Sequence, residues 1–288
     1  MKKMIENTII AKKTLAPGIT SLKIYAPEIC AKHKAGQFVI LRGWPGGERI
    51  PLTIANTDRA KGAITLIFQS VGKTTLQLAT LAVGDRVLDM AGPLGTRTHI
   101  ERFGTVVCIG GGIGTAPLLP ITKAMKAAGN KIVTILGFRS RDYIILQNEI
   151  EQLSDTLIII TDDGSSGQKG LVTDVLQQLF ADGIKIDRIM AIGPAIMMRA
   201  VAELTRRAAI PTIASLNPIM IDGTGMCGGC RVTINGSMKF VCVDGPEFDA
   251  HQVAWDEVMQ RLRTYKQHEC RALENYQQNQ PERISYAE

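Results

Sequence analysis

The chain is poor in aromatic residues and in histidine, and it has no long apolar run. Phe, Trp and Tyr make up 5% of its 288 residues, and four residues are His. No uninterrupted apolar stretch approaches the ~20 residues that a membrane-spanning helix needs. Charged residues interrupt the first segment before the apolar core of a signal peptide could form. These absences predict a cytoplasmic protein without a membrane span.

The chain also lacks a dense block of basic residues, although its formal net charge is +6. Lys and Arg are scattered, and no nucleic-acid-binding motif accompanies them, so we predict no nucleic-acid partner. The surplus charge suits anionic nucleotides or an acidic protein partner. The His residues share no spacing with a Ser or Cys nucleophile, and there is no Walker sequence, so we predict no catalytic acid or base.

The length is enough for two modest domains. Residues 1–100 consist of short runs with β-branched residues divided by turn signals, which predicts a compact antiparallel β-barrel or sandwich. One helix-like stretch, at residues 75–81, interrupts this pattern. Residues 101–216 alternate apolar strands with helices, which predicts a doubly wound parallel sheet. The expected fold class is therefore a β domain followed by an α/β domain.

The C-terminal quarter of the chain breaks this alternation. Residues 217–250 are rich in Gly and contain three of the six Cys. That is not the cysteine framework of a secreted disulfide scaffold, so metal or redox chemistry is expected. We expect a small loop region organised by a ligand rather than by an apolar core. Residues 251–288 are polar and helix-prone, and they form a predicted helical tail.

A glycine-rich turn follows the first predicted strand of the second domain. Its glycines let the backbone approach a pyrophosphate, and the helix that follows directs free N–H groups at the phosphates, so the turn predicts a nucleotide site. An acidic pair after a later strand, Asp162 and Asp163, could bind ribose hydroxyls or approach a nicotinamide. A simple helix-entry loop is the alternative there, and a Gly-Pro pair ends another strand on the same face. The candidate residues are Gly110, Gly112, Gly114, Thr115, Asp163 and Gly193.

Two short segments of the first domain are candidates for a flavin site. An extended strand that offers an Arg, a hydroxyl and backbone groups can hold a flavin at its edge, and a Gly followed by hydroxyls at a helix start can bind its pyrophosphate. An edge strand followed by a capped helix is the alternative. The candidate residues are Arg49, Pro51, Leu52 and Thr53 in the first segment and Gly72, Thr74 and Thr75 in the second.

Three cysteines are spaced as metal ligands. Cys227 and Cys230 form a C-x-x-C pair, and Cys242 follows twelve positions later, with glycines nearby that allow a tight loop. The spacing predicts either an iron–sulfur cluster or a structural zinc. Asp222 is a candidate for the fourth ligand, although an Asp before Gly is more often a turn residue.

The order of these features resembles the ferredoxin–NADP reductase superfamily. Within it, the chain looks like the electron-transfer subunits of dihydroorotate dehydrogenase. More narrowly, residues 217–231 and 242–249 are similar to the small-subunit family of NADH-dependent reduced ferredoxin:NADP oxidoreductases, also called sulfide dehydrogenase subunits. The resemblance covers about residues 5–260.

The resemblance implies three cofactors: FAD, NAD(H) and a [2Fe–2S] cluster. FAD would be bound by the two flavin-type segments of the first domain, and NAD(H) would lie over the flavin. NADH would then deliver a hydride to the flavin, and the cluster would conduct single electrons. The implied residues are Gly112, Gly114, Thr115 and Asp163 for NAD(H), and Asp222, Cys227, Cys230 and Cys242 for the cluster.

The same resemblance implies a protein partner. Such small subunits work in a heterodimer with a larger flavin and [4Fe–4S] subunit that binds NADP(H), reaches ferredoxin through the complex and is associated with electron bifurcation. Two alternatives stay open. The chain could serve an NAD-dependent dihydroorotate dehydrogenase, although that branch has four cysteines in the loop. It could also be a zinc-stabilised, non-catalytic nucleotide-binding subunit.

Overall fold

The computed structural model describes residues 4–279. Residues 1–3 of the predicted β domain and residues 280–288 of the predicted tail lie outside the described residues. Within the described part, no helix combines the length and the apolar character that crossing a bilayer would require.

The first six strands form one antiparallel sheet, as the sequence predicts. Backbone hydrogen bonds join Ile9 in the first strand to Gly84 and Asp85, which precede the sixth strand, so the two edges of the sheet approach each other. In the second strand, Leu22 and Ile24 are buried while their neighbours are partly exposed, as expected for a strand with one face on a core. The strands are β1 (Ile9–Ala16), β2 (Ile19–Tyr25), β3 (Phe38–Arg42), β4 (Ile50–Asp58), β5 (Ala63–Gln69) and β6 (Asp89–Leu94), in the order β1-β2-β5-β4-β3-β6.

Two helices interrupt this sheet, whereas the sequence predicted one. The predicted helix is present as α2 (Lys73–Thr80), and α1 (Pro27–Lys32) was missed. Pro27 begins α1 at a position where its fixed φ suits a helix, and Ile29 and Cys30 are buried. Six residues are too few to show a helical period, so the expectation of a single helix was wrong.

The second sheet has seven strands, and six of them run parallel. Alternate residues of its central strand face opposite cores: Val106 and Cys108 lie in one apolar cluster, and Val107 and Ile109 lie in the other. Because both faces are covered, the strand is apolar throughout. The parallel strands are β7 (Thr105–Gly111), β8 (Lys131–Phe138), β9 (Thr156–Thr161), β10 (Gln168–Lys169), β11 (Arg188–Ile192) and β12 (Thr212–Ser215).

Helices cover both faces of this sheet, which confirms the predicted α/β class. The helix that follows β7 also packs against β4 of the first sheet, so it joins the two domains. The helices are α3 (Thr115–Ala127), α4 (Gln147–Glu151), α5 (Val172–Ala181) and α6 (Ala195–Arg207).

The cysteine segment is more regular than the sequence suggested. It contains the hairpin β13 (Arg231–Ile234) and β14 (Ser237–Phe240), the short helix α7 (Val241–Asp244), and β15 (Glu247–Asp249). β15 pairs antiparallel with β12, which gives the order β10-β9-β8-β7-β11-β12-β15.

The apolar residues of the cysteine segment share a core with the second sheet. Val232, Ile234 and Val241 are buried in the same cluster as Ile109. The expectation that this segment lacks an apolar core was therefore wrong. A strand of four residues shows too few alternations of apolar and polar residues to be recognised in a glycine-rich segment.

The described part of the predicted tail is helical. α8 (Trp255–Arg261) packs against α6 and β13, and α9 (Lys266–Gln278) lies against α2. The indole N–H of Trp255 donates to the Ala250 carbonyl at 2.9 Å. The C-terminal helices therefore connect the second sheet to the first domain.

Asn130 holds the linker between the two sheets, residues 95–104, through hydrogen bonds of its side chain. It is 4% exposed. Its Oδ1 accepts hydrogen bonds from the N–H groups of Phe103 (2.7 Å) and Gly104 (3.1 Å). Its Nδ2 donates to the carbonyls of Glu101 (2.9 Å) and Met125 (2.8 Å).

We expect Asn130→Ala to lower the free energy of unfolding by about 3 kcal/mol, because it leaves several buried backbone groups without partners. Urea denaturation followed by circular dichroism measures this change. The exposed Asn148 on α4 is the matched control, and Asn148→Ala should change stability by less than about 0.5 kcal/mol. Equal losses in the two variants would contradict this role for Asn130.

Candidate functional site

A cleft of about 830 Å³ lies between the two sheets. Its lining includes residues 51–53 of β4, residues 111–114 at the end of β7 and in the turn that follows, and Met220 and Pro246 of the cysteine segment. The structure therefore brings the flavin-type strand, the glycine-rich turn and the cysteine segment to one place.

The glycine-rich turn joins β7 directly to α3. β7 ends at Gly111, and a single 3-10 turn (Gly112–Gly114) leads into the helix. Gly112 has φ +53°, a conformation that favours glycine. A Cβ on Gly114 would lie 2.3 Å from the carbonyl oxygen of Ile192. The free N–H groups at the start of α3 therefore border the cleft with little side chain around them, which suits a phosphate.

Two further glycines meet where the order of the strands reverses. β11 is the parallel neighbour of β7, and β8 lies on the other side of β7. A Cβ on Gly111 would lie 2.5 Å from Sδ of Met197, and a Cβ on Gly193 would lie 3.0 Å from Cα of Gly111. Such a crevice at the carboxyl ends of parallel strands is where α/β sheets bind ligands.

Two of the predicted nucleotide residues lie behind the turn and do not line the cleft. Thr115 is fully buried, and its Oγ1 has no hydrogen-bond partner among the described residues. Gly110 packs beneath the turn, where a Cβ would lie 2.9 Å from Leu136 and 3.1 Å from Leu118. In this geometry both residues support the turn from the core side.

The flavin-type strand borders the cleft through Pro51, Leu52 and Thr53. These residues pair with β3, where Thr53 lies opposite Phe38, another residue of the cleft wall. The wall is mainly apolar, which suits the body of an aromatic cofactor.

The second flavin-type segment forms the start of α2. Thr75 Oγ1 accepts hydrogen bonds from the N–H groups of Val71 and Gly72, each at 3.1 Å, and Thr75 lines the cleft. Thr74 Oγ1 donates to the carboxylate of Glu48. Gly72 and Thr74 themselves do not line the cleft. The capped helix considered from the sequence is formed, and its first turn adjoins the cleft.

The acidic pair after β9 is divided between two roles. Asp162 lines the cleft. Asp163 does not, and its carboxylate accepts hydrogen bonds from N–H (2.9 Å) and Oγ (2.7 Å) of Ser165. These bonds lower the pKa of Asp163. The residue chosen from the sequence thus shapes the loop, and its neighbour faces the candidate ligand space.

The cysteine segment also contacts the linker that follows β6. Thr96 Oγ1 donates to the carbonyl of Val243 at 3.0 Å, and Thr98 Oγ1 donates to the carboxylate of Glu247 at 2.5 Å. Burial raises the pKa of Glu247 to about 7. The segment is therefore attached to the first domain as well as to the second sheet.

The three thiols differ in exposure. Cys230 and Cys242 are buried, and the N–H of Cys242 lies 3.4 Å from Sγ of Cys230. Burial, and then the neighbouring Cys230, raise the pKa of Cys242. Cys227 is exposed, and hydrogen bonds from backbone N–H groups, that of Gly229 first, lower its pKa.

Asp222 lies within its own turn. Its Oδ2 accepts hydrogen bonds from Thr224 N (2.9 Å), Thr224 Oγ1 (2.6 Å) and Met226 N (3.1 Å), and the bonds from Thr224 are the main cause of its lowered pKa. Within residues 4–279, no three His, Cys, Asp or Glu side chains converge in a metal-binding arrangement. Asp222 therefore acts as a turn residue here, the role that an Asp before Gly commonly has.

The donor chemistry of the loop nevertheless fits a cluster bound by thiolates. N–H groups are directed at two of the sulfurs, and hydrogen bonds of this kind stabilise and tune sulfur ligands. Gly223, Gly225 and Gly228 have positive φ, so the loop can turn tightly around a ligand. The residues that could hold a cluster are the four chosen from the sequence.

Arg49 does not line the cleft. Its Nε donates to the carbonyl of Ile221 at 2.9 Å, and its Nη1 lies 3.4 Å from Oδ1 of Asp89. The sequence placed this residue with the flavin, and the structure places its guanidinium on the cysteine loop.

Sequence reasoning also missed several residues of the cleft wall. They lie far apart in the chain, on a strand, a helix and connecting turns, where single residues have no diagnostic spacing. They are Phe38, Tyr143, Met197, Asn217 and Met220.

Two family models match parts of the chain. Residues 108–203 match an oxidoreductase NAD-binding domain. Residues 217–254 match the iron–sulfur cluster binding domain of dihydroorotate dehydrogenase B. The matches coincide with the glycine-rich turn and with the cysteine loop.

Whole-chain relatives agree with these models. The chain is 46% identical over 270 residues to a protein of Thermotoga maritima named dihydroorotate dehydrogenase B (NAD(+)), electron transfer subunit homolog, with 94% of this chain and 95% of the relative covered. The chain belongs to the family of dihydroorotate dehydrogenase B electron-transfer subunits. A member of this family from Desulforamulus reducens is 33% identical over 264 residues, covering 89% of this chain and all of the relative.

Solved structures extend the comparison. The structure described as that of the NADH-dependent reduced ferredoxin-NADP oxidoreductase, in a study of flavin-based electron bifurcation, is 44% identical. It superposes with a TM-score of 0.91 and covers 96% of this chain and 99% of its own. A ferredoxin reductase in carbazole 1,9a-dioxygenase is 19% identical with a TM-score of 0.59, covering 71% and 65%, and shows the shared fold alone.

These findings confirm the resemblance and the fold class predicted from the sequence. The two domain matches also confirm the predicted NAD(H) and iron–sulfur cofactors. The 44% identical structure is described as one of flavin-based electron bifurcation, which agrees with the predicted FAD.

We expect Gly114→Ala to lower the free energy of unfolding by about 2 kcal/mol, because the added Cβ would meet a backbone carbonyl that cannot rotate away. The same change should weaken NADH binding, measured by titration calorimetry. Gly43→Ala is the matched control, since its nearest neighbour would be Cδ1 of Leu78 at 3.9 Å. A Gly114→Ala protein as stable as the control would show that the turn has room to move.

Proposed function

We propose that this chain is an electron-transfer subunit that oxidises or reduces NAD(H) at a bound FAD and relays electrons through a [2Fe–2S] cluster to a partner subunit. The observation that carries the proposal is the shared cleft. Its walls combine the flavin-type strand, the glycine-rich turn and residues of the cysteine segment. A nucleotide, a flavin and a cluster bound to these elements would be neighbours.

The nucleotide is assigned to the second domain. Gly112 and Gly114 present the start of α3 to its phosphates, and Gly193 leaves space at the switch point for the nicotinamide end. Gly110 and Thr115 support the turn from below. Asp162, with Asp163 shaping its loop, is suited to the ribose hydroxyls, because a carboxylate accepts their hydrogen bonds.

FAD is assigned to the first domain. Pro51, Leu52 and Thr53 would supply an apolar wall with one hydroxyl for the flavin ring. The start of α2, capped at Gly72 and bordering the cleft at Thr75, would supply N–H groups for the pyrophosphate. A bound FAD would supply hydride acceptance from NADH and single-electron release, chemistry for which no side-chain acid or base is required. The chain's own residues orient the two nucleotides and exclude water.

The cluster is assigned to Asp222, Cys227, Cys230 and Cys242. Buried Cys230 and Cys242 would face the protein, and exposed Cys227 would lie on the solvent side. A carboxylate ligand changes the charge and donor hardness of the site, which are levers on its reduction potential. The exposed side of the loop is where a partner could receive electrons.

The domain limits that we propose follow the same assignment. Residues 1–100 would bind FAD, residues 101–216 would bind NAD(H), residues 217–250 would bind the cluster, and residues 251–288 would form the tail. The end of β6 at Leu94 and the start of β7 at Thr105 support the first of these limits.

The partner that we propose is a larger flavin and [4Fe–4S] subunit that binds NADP(H) and exchanges electrons with ferredoxin. The 44% identity to the NADH-dependent reduced ferredoxin-NADP oxidoreductase structure supports this choice. The second candidate partner is the catalytic subunit of a dihydroorotate dehydrogenase. It is supported by the 33% identity to proteins named dihydroorotate dehydrogenase B (NAD(+)), electron transfer subunit. Co-purification with a dihydroorotate-oxidising flavoprotein would favour the second candidate.

We expect the chain, purified without oxygen, to contain about one FAD and about two irons, and NADH to bleach its flavin absorption. Visible spectroscopy with iron, zinc and flavin analysis measures this directly. A colourless protein that contains zinc and neither flavin nor iron would instead identify a structural, non-catalytic subunit.

We expect Asp222→Ala to change the electron paramagnetic resonance spectrum of the reduced cluster or to remove iron, while FAD content stays unchanged. Asp222→Cys should retain iron with a shifted spectrum, because it replaces an oxygen donor by sulfur. Asp182→Ala, at an exposed position after α5, is the control. Spectra of the Asp222 variants identical to that of the wild type would remove Asp222 from the ligand set.

A further inference from the structure

Arg49 makes a contact between the first domain and the cysteine loop that no cofactor assignment explains. It directly precedes β4, and its Nε donates to the carbonyl of Ile221 at 2.9 Å. Ile221 is the residue directly before Asp222 in the chain. The positive charge is therefore placed next to the turn that carries the candidate oxygen ligand.

The guanidinium of Arg49 is fixed in place from its other side by an ion pair. Its Nη1 lies 3.4 Å from Oδ1 of Asp89, the first residue of β6. The other carboxylate oxygen of Asp89 is bonded by Arg42 on β3, with Nε at 2.9 Å. All three side chains are about one-third exposed. Asp89 thus orients two arginines, of which Arg49 bonds to the loop.

The loop also packs directly on the strands that carry this ion pair. Gly223 has φ +84°, and a Cβ there would lie 2.7 Å from Cγ1 of Ile40 and 2.8 Å from Cδ1 of Leu94. Ile40 belongs to β3, and Leu94 ends β6. Two independent contacts, one polar and one steric, therefore seat residues 221–223 on the β3–β6 edge of the first domain.

We propose that Arg49 is a positioning residue for the cluster loop: it holds the turn at Asp222 against the first domain and supplies a positive charge beside it. This inference rests on the proposed cluster. A fixed positive charge near a redox centre favours its reduced state, which carries one more electron. Arg49 thereby raises the reduction potential of the cluster and links the loop to the domain assigned to FAD.

The role differs from the one expected from the sequence, which was contact with FAD. A phosphate-binding arginine would direct its guanidinium into the cleft, and Arg49 does not line the cleft. Arg49→Met removes both the charge and the bonds. Arg49→Lys keeps the charge but cannot reproduce the two-sided hydrogen bonding of a guanidinium.

The experiment compares these variants as purified holoprotein. In Arg49→Met, we expect FAD and iron content to be retained and the electron affinity of the cluster to fall about tenfold, which is about 59 mV for a one-electron couple. Amide hydrogen exchange at residues 221–226 should become faster in both Arg49 variants. Arg49→Lys should restore most of the potential without restoring the slow exchange.

Arg42→Met is the matched control, because the Arg42 guanidinium shares Asp89 and, among the described residues, has no hydrogen bond to the loop. It should leave the potential and the exchange of residues 221–226 unchanged. Loss of FAD from Arg49→Met with an unaltered potential and unaltered exchange would overturn the inference and assign Arg49 to the flavin. Unaltered exchange in both Arg49 variants would overturn it as well. A wild-type protein without iron would instead overturn the proposed function, and this inference with it.

Discussion

The attachment of the cysteine segment to both domains is the constraint on which the candidate site depends. β15 adds to the edge of the second sheet, Thr98 bonds to Glu247 from the linker, and Gly223 packs on β3 and β6 of the first. Because these contacts come from opposite sides, residues 217–250 are fixed between the sheets. The same contacts bring Met220 and Pro246 to the wall of the cleft, beside the strand assigned to the flavin.

Close approach of backbones is the second constraint. Gly111, Gly114 and Gly193 pack where any Cβ would meet Met197 or a carbonyl of β11. The turn therefore borders the cleft with main-chain groups instead of side chains. Main-chain N–H groups at a helix start bind phosphate without a charged side chain, which keeps the cleft mainly apolar for the rings of the nucleotides.

Local patterns carried most of what could be predicted. The continuous apolar run of β7, the glycines after it and the spacing of Cys227, Cys230 and Cys242 are each short-range signals, and together they indicated the chemistry correctly at the level of the family. The helix α1 and the core beneath the cysteine loop were missed, since six residues and a four-residue strand are too short for a period to show. The sequence indicated the acidic pair Asp162 and Asp163, and Asp163 was chosen as the site residue. Which of two adjacent carboxylates faces the cleft depends on the backbone of the loop, and Asp162 is the one that lines it.

The sequence by itself determined the fold class, the family and the kinds of cofactor, because these depend on residue types and spacings within single segments. Tertiary structure alone decided which residues meet. Arg49 and Ile221 are 172 positions apart, and their hydrogen bond exists only because two domains pack against one loop. The same holds for Asn130 and the linker, and for the cleft wall. Contacts between distant segments depend on how whole elements pack, and no local pattern encodes them.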